Sequence, residues 1–197
     1  NGGAEPVSTM GGKCPASAPV RSYDVSAINV EITLNMWLDF YPGYMYTLDE
    51  NLDKVRAEET KNREARDKEG FDPGAVIPGV QAQWIQPLTI RGNQGDCVKI
   101  KLSNKLEGGE DVSLHIHGSS MVVSATGAAA ATTNSDSIVQ KEKSGEFEWY
   151  IHPSTQEGVR QFHTFANDRE LTVMGLFGSF VVEPRGSEYL EALGSGA

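Results

Sequence analysis

This 197-residue chain is poor in the residues that hold metals and make crosslinks: four histidines and two cysteines. No apolar run approaches the ~18–20 residues of a membrane-spanning helix, so no such helix is expected. Positive charge is scarce too. Seventeen lysines and arginines face 27 aspartates and glutamates, a formal net charge of -10. That balance argues against nucleic-acid and anionic-membrane partners, both of which want a basic face, and is compatible with attracting cations. A hydrophobic fraction of 39% and a charged fraction of 22% suit a globular protein. The length suits one domain with embellishments and a proper core. The chain starts at Asn1 without a methionine, a feature shared by processed N-termini and expression products.

The scarce histidines are not scattered. His115 and His117 lie in Ser113-Leu114-His115-Ile116-His117-Gly118, a run of strand-forming residues. Side-chain direction repeats every second residue along a strand, so both imidazoles project from one face. Neutral imidazole is the commonest protein ligand for zinc, copper, iron and nickel. A third candidate ligand is His163, in Gln161-Phe162-His163-Thr164-Phe165. The three are expected to converge. The alternative for an isolated pair is a hydrogen-bonded core. His152, in Tyr150-Ile151-His152-Pro153, reads as an ordinary turn histidine.

Cys97 opens the alternating run Cys97-Val98-Lys99-Ile100-Lys101-Leu102, on the face of Lys99 and Lys101. A cysteine on a polar strand face is a natural anchor for a covering segment. The Gly-, Pro- and Ser-rich stretch around Cys14 has little else to hold it down. A Cys14–Cys97 disulfide is predicted, and with it an oxidising compartment, periplasmic or extracellular. Two unrelated free thiols are the alternative.

In chain order, residues 1–24 are expected to form an irregular arm and 186–197 a linker-like tail. Ala27 to Asn35 alternates as a strand, with Ile28, Val30, Ile32 and Leu34 on one face. Met36 to Tyr46 reads as an aromatic-flanked turn at Pro42-Gly43. Asp49 is placed to cap a helical insertion over about 49–69, almost wholly charged and resting mainly on Leu52 and Val55. Phe71 to Gln83 reads as a loop. From Ile85 onward short strands follow one another: Leu88–Arg91, Cys97–Ser103, Val112–His117, Met121–Ser124, Glu146–His152, Arg160–Thr164 and Leu176–Glu183. The alanine-rich segment Ala125 to Asn134 reads as a flexible loop passing over His115 and His117. The pattern predicts an all-β domain over 25–185, a Greek-key sandwich or barrel.

Four blocks carry a resemblance: Gly95-Asp96-Cys97-Val98 to Leu102-Ser103-Asn104; Leu114-His115-Ile116-His117-Gly118; Glu157-Gly158 to Phe162-His163; and Gly175-Leu176-Phe177-Gly178 to Val182-Glu183-Pro184. In order and spacing they resemble the first cupredoxin domain of a multicopper oxidase, over roughly residues 85–185. The segment Ile28 to Arg91, with its charged helix, resembles the leading part of large bacterial members of that family. The resemblance implies a cupredoxin-like fold, and copper of the type 2 and type 3 kinds shared with another domain. It implies type 2 for His115 and type 3 for His117, with His163 sharing the latter's ion. The family's next motif, His-x-His, reads His163-Thr164-Phe165 here, and Phe165 stands where a second ligand is expected. Either a neighbouring residue substitutes, or one copper is lost and the site is altered or silent.

No type 1 copper site is visible, since Cys97 has no histidine near it in sequence. The expectation is therefore a fragment, cleaved piece or subunit of a larger oxidase, inactive as an isolated domain. Its implied partners are the remaining cupredoxin domains and O2, with a metal ion or small reductant oxidised. A non-catalytic structural module, and a mononuclear copper binder using the three histidines, are the competing readings.

Overall fold

In the computed structural model, residues 12–35, 37, 39–67, 83–131 and 134–188 are described. Nine strands follow in chain order: β1 (Val20–Thr33), β2 (Phe40–Leu48), β3 (Leu88–Asn93), β4 (Cys97–Lys105), β5 (His115–Ile116), β6 (Val122–Val123), β7 (Ser144–Tyr150), β8 (Gly158–His163) and β9 (Phe177–Glu183). Two helices accompany them, α1 (Leu52–Asp67) and α2 (Asp168–Val173). The strands form a five-stranded sheet, β2-β1-β4-β7-β6, and a four-stranded sheet, β3-β9-β8-β5.

Inward-facing positions of both sheets share one core, including Val98, Ile100 and Leu102 of β4, Phe147 and Trp149 of β7, Phe162 of β8, and Phe180 and Val182 of β9. This is the β-sandwich solution to burying two apolar sheet faces. Gly178 shows how tight the fit is. A Cβ there would lie 2.3 Å from the Phe162 ring and 2.5 Å from the Leu88 carbonyl oxygen. Glycine therefore lets three adjacent strands close around a buried phenylalanine.

Several expectations need correction. β1 starts at Val20, so the irregular arm ends earlier than residue 24. Its N-terminal half is recruited by parallel pairing with β4, from Val20 opposite Cys97 to Ile28 opposite Lys105, which local composition does not reveal. Residues 40–48 form a strand, not a turn at Pro42-Gly43, and Pro42 lies opposite Glu31 in the antiparallel pair. Proline is tolerated because β2 is the sheet's outer strand. The Ile28/Val30 face of β1 looks away from the main core and forms a smaller one with Met45, Val55 and Ile85. Leu34 is exposed. The segment 71–83 lies almost entirely outside the described residues, as do 1–11 and 189–197 of the arm and tail.

The charged helix is the largest correction. Asp49 does not cap it; a short 3-10 turn over Asp49–Asn51 precedes α1, and the Asp49 carboxylate instead accepts from the Ser26 hydroxyl. Nor does the helix rest on an apolar stripe alone. Val55, Glu58, Glu59 and Asn62 are all buried. Glu58 accepts the backbone N–H groups of Gln83, Trp84 and Ile85, each at 3.1 Å. Glu59 accepts the Glu31 N–H at 2.9 Å, and Arg56 donates to the Asn29 carbonyl at 2.9 Å. A buried carboxylate with several donors is satisfied, so α1 docks through hydrogen bonds that a hydropathy pattern misses.

Cys14 and Cys97 form the predicted disulfide, 83 residues apart in sequence. Closing so long a loop is worth on the order of 4 kcal/mol in the chain-entropy account. Glu58→Ala should destabilise the protein more than any exposed α1 carboxylate, because it strands three amide donors. The expected loss in urea unfolding is roughly 2–4 kcal/mol. A change below about 0.5 kcal/mol, the level of surface substitutions, would contradict that role.

Candidate metal centre

β5 and β8 position the histidines. Their antiparallel register sets His115 directly opposite His163 and Ile116 opposite Phe162. Residues directly opposite share a face, so His115 and His163 project together while Ile116 and Phe162 enter the core. His117 lies one residue beyond β5, its N–H donating to the Gln161 carbonyl at 2.9 Å. Gly118, at φ +68°, then turns the chain under the Arg160 guanidinium, and Arg160 donates to the Gly118 carbonyl at 3.4 Å.

β5 is only two residues long, and the expected strand over 112–117 shortens to that pair because a side-chain lock replaces ladder pairing upstream. The Ser113 N–H donates to the Thr164 hydroxyl at 3.0 Å, and the Ser113 hydroxyl accepts the Phe165 N–H at 2.8 Å. The buried Tyr46 hydroxyl donates to the Ser113 carbonyl at 2.5 Å. Sequence reasoning passed over Ser113, Thr164 and Tyr46. The signal was the position of a serine and a threonine beside the two histidine motifs, where short hydroxyls bond neighbouring backbone.

The imidazoles are held by acceptors that fix their protons. Nδ1–H of His115 donates to the Ala130 carbonyl at 2.6 Å, and Nδ1–H of His163 to the Thr164 carbonyl at 2.7 Å. A carbonyl only accepts, so both Nε2 atoms carry lone pairs. The Nε2 atoms of His117 and His163 face each other at 2.6 Å, and His117 donates in that contact. Of the expected loop, the described part at 125–131 reaches His115 through the Ala130 carbonyl and is tied down: the Val123 N–H donates to the Ala128 carbonyl and the Ala130 N–H to the Met121 carbonyl, both at 2.9 Å.

The three histidines gather around one phenyl ring without meeting at one point. Phe165 has its centroid 4.7 Å from His115, 5.0 Å from His163 and 6.3 Å from His117. The His117 and His163 rings are 4.7 Å apart, and His115 is 5.9 Å from His117. Among the described residues, the only three-ligand group with donor atoms within 4.8 Å of one another is Cys14, Cys97 and Glu148. The histidines therefore divide into a facing pair and a separate third. His163 is buried, His115 half-buried and His117 exposed. His152 stands apart, paired with the Ser154 hydroxyl at 2.6 Å.

The multicopper oxidase family model matches residues 68–187, more than half of the chain. The chain belongs to the multicopper oxidase family. Solved structures agree on the fold. A multicopper oxidase from Pseudomonas thermotolerans superposes with a TM-score of 0.50 at 18% identity, covering 89% of this chain and 32% of that one. A second multicopper oxidase gives 0.52 at 18% identity, with 93% and 49% covered. The copper nitrite reductase of Nitrosomonas europaea gives 0.51 at 12% identity, with 87% and 44% covered. At such identities the likeness establishes the all-β, cupredoxin-like fold alone. No curated protein matches the chain in sequence. The chain spans less than half the length of these neighbours. Membership in this multicopper oxidase family implies copper, and imidazoles suit both of its common oxidation states.

Burial pushes the His115 imidazole below its ordinary value of 6.5; the bond to Ala130 opposes this, and repulsion from His117 and His163 adds to it. The folded state thus binds fewer protons on this ring than the unfolded chain does. Its contribution to stability is full above 6.5 and lost as pH falls through the lowered folded value. The urea midpoint of the metal-free protein should therefore drop below pH 6.5. His115→Gln, whose amide can still donate to Ala130, should flatten part of that drop, whereas an identical pH slope would contradict the assignment.

Proposed function

We propose that this chain is the N-terminal part of a multicopper oxidase, lending histidines to a copper cluster completed by another cupredoxin domain. The observation that carries the reading is the facing pair of Nε2 atoms on His117 and His163, with the His163 ring oriented from behind by a backbone carbonyl. Carbonyl acceptors behind a ring are the arrangement that fixes tautomer and direction in histidine ligands. In this reading His117 and His163 share one type 3 ion and His115 serves the type 2 ion. Copper supplies the one-electron steps by which O2 is reduced while a metal ion or small reductant is oxidised.

The chain's own residues prepare the site. Ala130 and Thr164 hold the Nδ1 protons of His115 and His163, leaving a lone pair on each Nε2. His117 donates its Nε2 proton to His163, so for its Nε2 to serve as a ligand that proton would have to sit on Nδ1 instead, a change of tautomer and not of charge. Phe165 packs against all three rings and offers no ligand atom. The exposed edge of His117 is where the second domain approaches, on a further segment or a separate chain. The Cys14–Cys97 disulfide supports a periplasmic or extracellular setting.

Phe165 also favours a second reading, a cupredoxin-like module that has lost its copper chemistry and serves assembly. Counting bound copper after reconstitution separates the two. The first reading predicts copper on the wild-type chain, with affinity at the shared position falling on the order of a hundredfold in His163→Ala. Phe165→His should take up additional copper. A chain that holds no copper after reconstitution contradicts the oxidase reading and leaves the structural module.

A further inference from the structure

A second cluster of ligand atoms lies on the opposite side of the sandwich from the shared core, on the outer face of the five-stranded sheet. Cys97 and Lys99 of β4 project there, opposite Tyr150 and Glu148 of β7. Polar residues on the outer face of a sheet are ordinarily wet. Glu148 is only 5% exposed, because the N-terminal segment crosses this face. That segment is held by the Tyr150 N–H donating to the Gly12 carbonyl at 3.3 Å, the Cys97 N–H donating to the Pro19 carbonyl at 2.7 Å, and the Cys14–Cys97 bond. Beneath it, a Glu148 carboxylate oxygen and the two sulfur atoms lie within 4.8 Å of one another.

Glu148 has a feature that packing does not explain. Its Oε1 is buried and has no hydrogen-bond partner. The buried carboxylates of α1 are satisfied by amide donors, so this one is an exception. A buried carboxylate oxygen without a donor carries a desolvation penalty, and a cation is one way such a group is satisfied. While the disulfide is intact its sulfurs are poor ligands. Reduced, they supply two thiolates beside a carboxylate.

We propose that Cys14, Cys97 and Glu148 form a redox-gated binding site for zinc(II), closed by the disulfide and opened by a dithiol reductant. In the opening step the dithiol gives up two electrons and becomes a disulfide, while Cys14 and Cys97 gain them and two protons as thiols. Zinc then displaces both thiol protons to solvent, forming two zinc–sulfur bonds and one bond to Glu148. A fourth position is left for water. Two sulfurs and a carboxylate fit zinc, whose sites accept sulfur, nitrogen and oxygen together, better than cuprous copper, which the hard carboxylate does not suit. Nothing in this site draws on the histidines, so it stands apart from the copper reading.

The test uses the full chain, reduced anaerobically with a phosphine, which becomes phosphine oxide with oxygen from water. Cobalt(II) is the spectroscopic probe and zinc the competitor. The reduced protein should bind one equivalent of cobalt with a near-ultraviolet thiolate charge-transfer band that zinc abolishes, and the oxidised protein should show no such band. Glu148→Gln should weaken cobalt binding at least as much as loss of an outer-shell partner does, on the order of tenfold. In parallel, zinc should raise the melting temperature of the reduced wild-type protein and raise that of the variant less. Should reduction unfold the chain, zinc must restore its circular dichroism. Absence of the band, failure to restore the fold, or equal affinity in Glu148→Gln each overturns the proposal.

Discussion

The candidate copper site depends on a pairing only two residues long. β5 contributes His115 and Ile116, and their register against His163 and Phe162 decides which side chains face outward. A one-residue slip of either strand would turn its histidine inward and its core residue, Ile116 or Phe162, outward. So short a strand cannot hold its own register by ladder bonds. The Ser113–Thr164 lock, with Tyr46 reaching it from β2, holds it instead. Phe162 secures the other side, seated where Gly178 removes a side chain. The histidines are therefore positioned by hydroxyls and a glycine as much as by strands.

Around that centre the periphery is held by means other than apolar packing. α1 uses buried carboxylates to collect backbone donors from the segment at Gln83–Ile85 and from β1, with Val55 as its apolar anchor. The N-terminal segment uses a covalent bond, and a parallel strand reaching back to Val20 continues it. Both attachments cover faces of the five-stranded sheet, which leaves the four-stranded sheet to present the histidines.

Much of this was legible in the sequence. The alternation Val98-Ile100-Leu102 placed β4, and the odd position of Cys97 on its polar face led to the disulfide. The spacing of His115 and His117 placed both on one face, and the four motif blocks led to the fold. The failures have physical causes. Pro42 and Gly43 look like a turn locally, but an edge strand tolerates both. Glu58, Glu59 and Asn62 look solvated, but backbone donors meet the two carboxylates in three dimensions and Asn62 donates to the Thr33 hydroxyl. The three histidines do share one face, with His117 against His163, His115 5.9 Å from His117 by ring centroid, and Phe165, which the period-2 spacing already put on that face, beside all three.

The division into a pair and a third gives the chain's role its shape. A ring that cannot coordinate stands among three that can, on a face left open at His117. Pulsed EPR on the wild-type chain carrying a single equivalent of copper(II) tests the assignment most directly. The account predicts couplings from imidazole nitrogen that diminish when His163 is replaced by alanine. Copper without imidazole couplings, or couplings unchanged by that replacement, would contradict it.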